Sequence, residues 1–219
     1  MPVQRRIRHA VRGFGLGLVL KMSGRCLEEK TCHPRSKKRI LFFLFRSGPM
    51  LISYFSNIKQ TLPERQEKSW SEFASYLEGC SSIRYMRKID VPAFSPAEYP
   101  PGTHRLKSKV VAVHFGVLDL DKLDDDQMAV VNEKLKGHAH IFYTTWSHAE
   151  SVPLWCARLV IPFSRPVLAG EWDVFWPRMN AMFGGFGDPA CKDPSRVYFV
   201  PATHADAVDD FIFHHSEKE

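Results

Sequence analysis

The 219-residue chain is 44% apolar, 25% charged and 12% aromatic, which excludes a coiled coil, a collagen-like rod and a membrane bundle. A single core of this size buries roughly 70% of the unfolded surface, so neither a disulfide nor a structural metal is needed to hold it. The net charge of +6 points to an anionic partner, but it is unevenly spread: residues 1–48 hold 12 basic and 2 acidic residues (+10), and residues 49–219 hold 18 and 22 (−4).

In chain order, residues 1–48 read as a basic N-terminal extension, accessory to a domain spanning 50–219. The extension carries Arg5-Arg6-Ile7-Arg8 and Lys37-Lys38-Arg39. Its apolar runs fall short of the ~18–20 residues that span a bilayer, so no membrane association is expected. The five cysteines (26, 32, 80, 156 and 191) are odd in number and lack a CxxC pair. They read as reduced thiols, and a cytoplasmic, intracellular protein is expected.

Within Pro63 to Cys80, Trp70, Phe73, Tyr76 and Leu77 share helical spacing, which predicts a helix. Val91 to Gly102 contains four prolines and reads as a link. Lys109 to Leu120 is apolar and β-branched, a buried strand. Asp124 to Asp126 caps a helix running to Lys136. His138 to Thr145 predicts a second strand, and Ala157 to Phe163 a third, ended by Pro162 and Pro166. A helix over Trp172 to Phe183, a short strand over Arg196 to Val200 and a terminal helix over Ala205 to His214 complete the pattern. Mixed strands and helices of this kind predict an α+β or α/β sheet domain.

Chemistry concentrates in three places. Asp119 and Asp121 end the most apolar strand and, two residues apart, share a face. Two ionised carboxylates that close repel each other, and a hard divalent cation such as Mg²⁺ or Mn²⁺ relieves the repulsion. Ser147 and His148 follow the next predicted strand. Asp188 lies on a Gly-rich turn, with Lys192, Asp193 and Arg196 close behind; Asp193 is an alternative to Asp188 as third acid. Arg158, on the third strand, points toward a phosphate or a carboxylate.

In this order, Asp119/Asp121, a serine-histidine element and then Asp188 resemble the archaeo-eukaryotic primase superfamily, specifically the primase-polymerase-like domains of plasmids, phages and mobile elements. YTTWSHA, ARLVIPFSRPV and DPACKDPSRVYFVPA resemble the same group, over about residues 105–204. The serine and histidine are adjacent here, giving T-x-S-H where that superfamily has S-x-H. The resemblance implies an RRM-like primase catalytic core: a central, mostly antiparallel sheet with flanking helices. It also implies template-directed nucleotidyl transfer by a DNA primase/polymerase in replication of a mobile element. Asp119, Asp121 and Asp188 would hold two Mg²⁺ or Mn²⁺ ions. Ser147, His148 and Arg158 would bind the nucleotide, and Lys192 and Arg196 would contact phosphate or template. The implied partners are single-stranded DNA, an NTP or dNTP, and a separate replicative helicase.

Two other readings compete. A rolling-circle nuclease would use His138 and His140 as a metal pair, with Tyr143 or Tyr198 as nucleophile. A catalytically silent replication initiator would use the same fold to bind DNA without synthesis.

Overall fold

The computed structural model describes residues 48–207 and 211–217. The expected basic extension lies outside the described residues, apart from Gly48 at its end.

Strand β1 (Met50–Phe55) pairs antiparallel with β2 (Glu64–Lys68). Helix α1 (Trp70–Ser81) follows, capped by Ser69 and Glu72, each bonded to the other's backbone N–H. Its buried stripe of Trp70, Phe73 and Leu77 follows the predicted spacing, and the Phe73 ring packs 5.3 Å from Phe94 and 5.1 Å from Phe115. The expected helical run therefore begins at Trp70, and the residues before Ser69 form a strand.

The proline-rich segment is not a plain link. Strand β3 (Arg84–Tyr85) precedes it, and the segment itself contributes β4 (Ala93–Ser95) and β5 (Ala97–Glu98). Strand β6 (Ala112–Leu123) is the apolar strand that ends in the acids, and α2 (Asp125–Leu135) is capped by Asp124 and Gln127. Strand β7 (His140–Thr144), the short helix α3 (His148–Ser151) and β8 (Trp155–Leu168) come next. They are followed by α4 (Ala169–Met182), β9 (Tyr198–Phe199), β10 (Thr203–His204) and β11 (Phe213–Ser216).

Strand β8 runs through both prolines that were expected to end it. Its pairing with β7 stops at Val160, and its ladder with β6 jumps from Phe115–Pro162 to Val113–Val167. Pro162 and Pro166 thus sit beyond β7 and at an irregular stretch, where a missing N–H costs no ladder bond. The expected terminal helix over 205–214 is also overturned. Phe213 to Ser216 pair antiparallel with β7. The Ile212 carbonyl accepts from the Thr144 N–H, and the Ile212 N–H donates to Thr144 Oγ1.

One sheet has the order β11-β7-β8-β6-β5 and another β2-β1-β4-β9, both antiparallel throughout; β3 and β10 form a short parallel pair. The fold is mixed α+β, mostly antiparallel, with flanking helices, as the sequence reading expected. Among the described residues, no helix is long and apolar enough to cross a membrane.

Candidate functional site

Strands β6 and β7 both pair antiparallel with β8, so they run parallel to each other and end at the same edge of the sheet. Asp119 pairs with Arg158, Asp121 with Cys156, and Tyr143 with Arg158. Directly paired residues point to the same face, so Asp119, Asp121, Arg158 and Tyr143 share one side of the sheet. Just past Asp121 the ladder shifts register, and Lys122 adopts a left-handed φ of 58°. Such a bulge twists the strand end and sends the chain on toward α2.

The turn after α4 returns a third carboxylate to this face. Gly184 and Gly185 have φ of 104° and 81°, conformations that side chains rarely adopt. Gly187 then approaches β6 so closely that a Cβ would lie 2.7 Å from Asn180 Oδ1 and 3.0 Å from Leu118. The Asp188 N–H donates to the Asp119 carbonyl at 2.9 Å, which fixes one acid's main chain to the other's. One carboxylate oxygen each from Asp119 and Asp188 and the Cys191 sulfur all lie within 4.8 Å of one another.

Two arginines complete the cluster. Arg158 is 5% exposed. It donates to Asp119 Oδ1 (2.8 Å), to the Phe199 carbonyl (2.7 Å) and to Tyr143 Oη (3.4 Å). The Tyr143 and Tyr198 rings lie against its guanidinium. Burial opposes its charge, but the Asp119 carboxylate and Tyr143 outweigh burial and raise its pKa. Arg196 Nη2 lies 3.0 Å from Asp188 Oδ2 and 3.9 Å from Asp119 Oδ2. Asp121 is more exposed than Asp119. Burial, followed by repulsion from Asp119, pushes its carboxyl above the usual carboxylate range, with Asp188 adding to the shift while Arg158 and Lys88 oppose it.

Lys88 is a member that the sequence reading missed. It extends from a turn at residues 88–90, donates to Ser147 Oγ at 3.0 Å and lies over the Phe199 ring. It links Ser147 to the Asp121 side of the cluster. Nothing in the local sequence marks it: it lies 31 positions before Asp119, next to a proline-rich stretch, and only folding brings it near.

His148 has other partners, beside Cys156, the residue paired with Asp121. Its ring stacks on Trp155 at 5.3 Å, and Trp155 Nε1 donates to Asp125. The cleft there is also lined by Val152, Pro153, Phe211 and Ile212. The Cys156 N–H donates to His148 Nδ1 at 3.3 Å. Adjacent in sequence, Ser147 and His148 diverge, one held by Lys88 and the other by Trp155.

Asp193 accepts from the N–H and hydroxyl of Ser195, an Asx turn, and is exposed. The Lys192 carbonyl accepts from Trp172 Nε1, and the residue itself is exposed. Of the two third-acid candidates, Asp188 is the one bonded to Asp119. The nuclease arrangement is not assembled. His140 and Tyr143, three apart on one strand, point to opposite faces. Tyr143 and Tyr198 are buried around Arg158 at 0% and 3% exposure. Burial pushes the Tyr143 phenol up to about 12 and raises the Tyr198 phenol well above its ordinary value.

No curated protein matches the chain. Among solved structures, it is similar to the AEP domain of the cyanophage S-2L primase-polymerase, at 12% identity and a TM-score of 0.45. That match covers 77% of this chain and 83% of the other. The family model described as the VapE N-terminal domain matches residues 85–219. That stretch contains Lys88, both strand-end acids, Ser147, Arg158, Asp188 and Arg196, and over it the chain belongs to the VapE N-terminal domain family.

Proposed function

We propose that the domain is a template-directed nucleotidyltransferase of primase-polymerase type. One observation carries the reading: Asp119, Asp121 and Asp188 converge at one end of the sheet, with Asp188 bonded to the Asp119 main chain. The donor set fits a divalent cation, since carboxylate oxygens of Asp119 and Asp188 lie within 4.8 Å of each other and of the Cys191 sulfur, Arg196 lies between the two acids, and Asp119 and Asp188 add repulsion to the burial that raises the Asp121 pKa. Asp119, Asp121 and Asp188 would hold Mg²⁺ or Mn²⁺, which supplies activation of the attacking 3′-hydroxyl and neutralisation of phosphate charge. Arg158 positions the Asp119 carboxylate. Lys88 and Ser147 offer an ammonium and a hydroxyl to the phosphates of an incoming NTP or dNTP. His148 offers its imidazole to the same phosphates. Single-stranded DNA is the template in this reading, and a replicative helicase a partner in replication of a mobile element.

A catalytically silent DNA-binding initiator is the second reading. It is favoured by the neutralisation of Asp119 and Asp188 by Arg158 and Arg196.

The test incubates the full chain with single-stranded DNA, labelled NTPs or dNTPs, and Mg²⁺ or Mn²⁺. Asp121→Asn and Asp188→Asn are the informative variants, because neither acid holds the buried Arg158. Metal-dependent synthesis that falls at least about 100-fold in each variant supports the proposal. Synthesis unchanged in both, or absent from a wild-type chain that shifts duplex DNA in a gel, overturns it; the latter favours the initiator.

A further inference from the structure

We infer that Arg196 is the resident counter-ion of the carboxylate cluster, holding between Asp119 and Asp188 the position that a divalent cation takes when it binds. The inference rests on the metal-centre reading above and adds a competitor to it.

The two arginines of the cluster differ in what holds them. Arg158 is locked: its side chain is 6% exposed, donates to three acceptors and lies against two tyrosine rings. It cannot leave without stranding a buried charge. The Arg196 side chain is 33% exposed, and among the described residues its close bond goes to Asp188. Its main chain is fixed, because its N–H donates to the Asp193 carbonyl and its carbonyl accepts from Ser95 Oγ. Only the side chain is therefore placed to swing.

Charge sets the direction. Asp119, Asp121 and Asp188 face Arg158, Arg196 and the more distant Lys88, so the cluster is already balanced. A divalent cation entering a balanced site must displace something. Arg196 can do so at small cost, because a guanidinium at the surface rehydrates in place. A second observation marks the cluster as unfinished. Arg158 Nε is buried and has no hydrogen-bond partner among the described residues. An unpaired buried donor is a cost that the present arrangement carries.

A competitor that fills the site part of the time lowers the apparent affinity by the fraction of time the site is open. Removing it raises the affinity. The experiment titrates Mn²⁺ into the full-length chain and its variants, reading free Mn²⁺ by its electron paramagnetic resonance signal, with no nucleotide or DNA present. Arg196→Gln is expected to bind Mn²⁺ on the order of tenfold more tightly than wild type. Arg196→Lys, which keeps the charge, is expected to stay near wild type. Arg165→Gln, which breaks an exposed pair with Glu171, controls for loss of any surface arginine. Equal or weaker binding by Arg196→Gln overturns the counter-ion role while leaving the metal centre standing. Binding by neither wild type nor Arg196→Gln overturns the metal-centre reading itself, and the two failures are thereby told apart.

Discussion

The most constrained residue near the candidate site is Arg158. Its charge survives burial only because Asp119, a carbonyl and two tyrosine rings surround it. Removing one member of a buried pair strands the other, so Arg158→Met is expected to destabilise the protein by about 3–5 kcal/mol in urea unfolding. Adding Asp119→Asn to that variant is expected to recover part of the loss, because the stranded carboxylate is gone. His140 makes a second prediction. Burial lowers its pKa below the ordinary 6.5, assisted by repulsion from His214, His138 and His215 and opposed by its bond to the His138 carbonyl. The His214 ring stacks on it at 5.2 Å. With its folded pKa below its unfolded value, the unfolded chain binds the proton first. Stability is therefore expected to fall as the pH drops through 6.5 toward the lowered value. Thermal melts of His140→Gln across the same window should show a shallower decline. An equal slope in both proteins would show that other groups govern the acid response.

At the scale of elements, the site depends on how α4 hands the chain back to β6. Gly187 touches Asn180 and Leu118 where any side chain would collide, and its N–H donates to Asn180 Oδ1 at 2.9 Å. Gly187→Ala is expected to cost about 1–3 kcal/mol by overpacking. By displacing Asp188, it should also weaken Mn²⁺ binding several-fold more than a Gly79→Ala control, where a Cβ meets nothing. The elements also show which sequence signals carried. The stripe of Trp70, Phe73 and Leu77 and the Asp124 cap were legible because helical spacing and capping act within a few residues. The 205–214 segment misled because its local pattern allowed a helix while the open edge of β7 offered a ladder, and pairing decided the outcome. Strand β8 passed its prolines because its neighbours had already ended or bulged, which its own sequence cannot reveal.

For the whole molecule, charge and fold separate. Residues 1–48 carry +10 and the remainder −4. The expected division, a basic extension before a domain of 50–219, leads to a prediction of its own. Met50 is 1% exposed and paired to Lys68, so a truncation should begin ahead of it. A chain lacking residues 1–46 is expected to keep nucleotide transfer. Its affinity for single-stranded DNA should fall less steeply with salt, because fewer counterions are released. Fluorescence anisotropy over a salt series checks the slope. An unchanged slope would move the DNA contacts into the domain.

The sequence by itself determined the mixed α+β class, the strand that ends in Asp119 and Asp121, and the candidate set of Asp188 or Asp193, Ser147, His148, Arg158, Lys192 and Arg196. Each of these follows from composition, from short periodic patterns or from the order of motifs. Only the tertiary structure decided which of them meet. It bonded Asp188 to Asp119, left Asp193 in its own turn, parted His148 from Ser147 and brought in Lys88 from a distant turn. It also set Arg158 and Arg196 against the acids, one buried and locked, the other half-exposed between two carboxylates. The reason is physical: a strand fixes which face a side chain takes, but pairing register, a bulge and a glycine turn fix what it faces, and those depend on partners far along the chain.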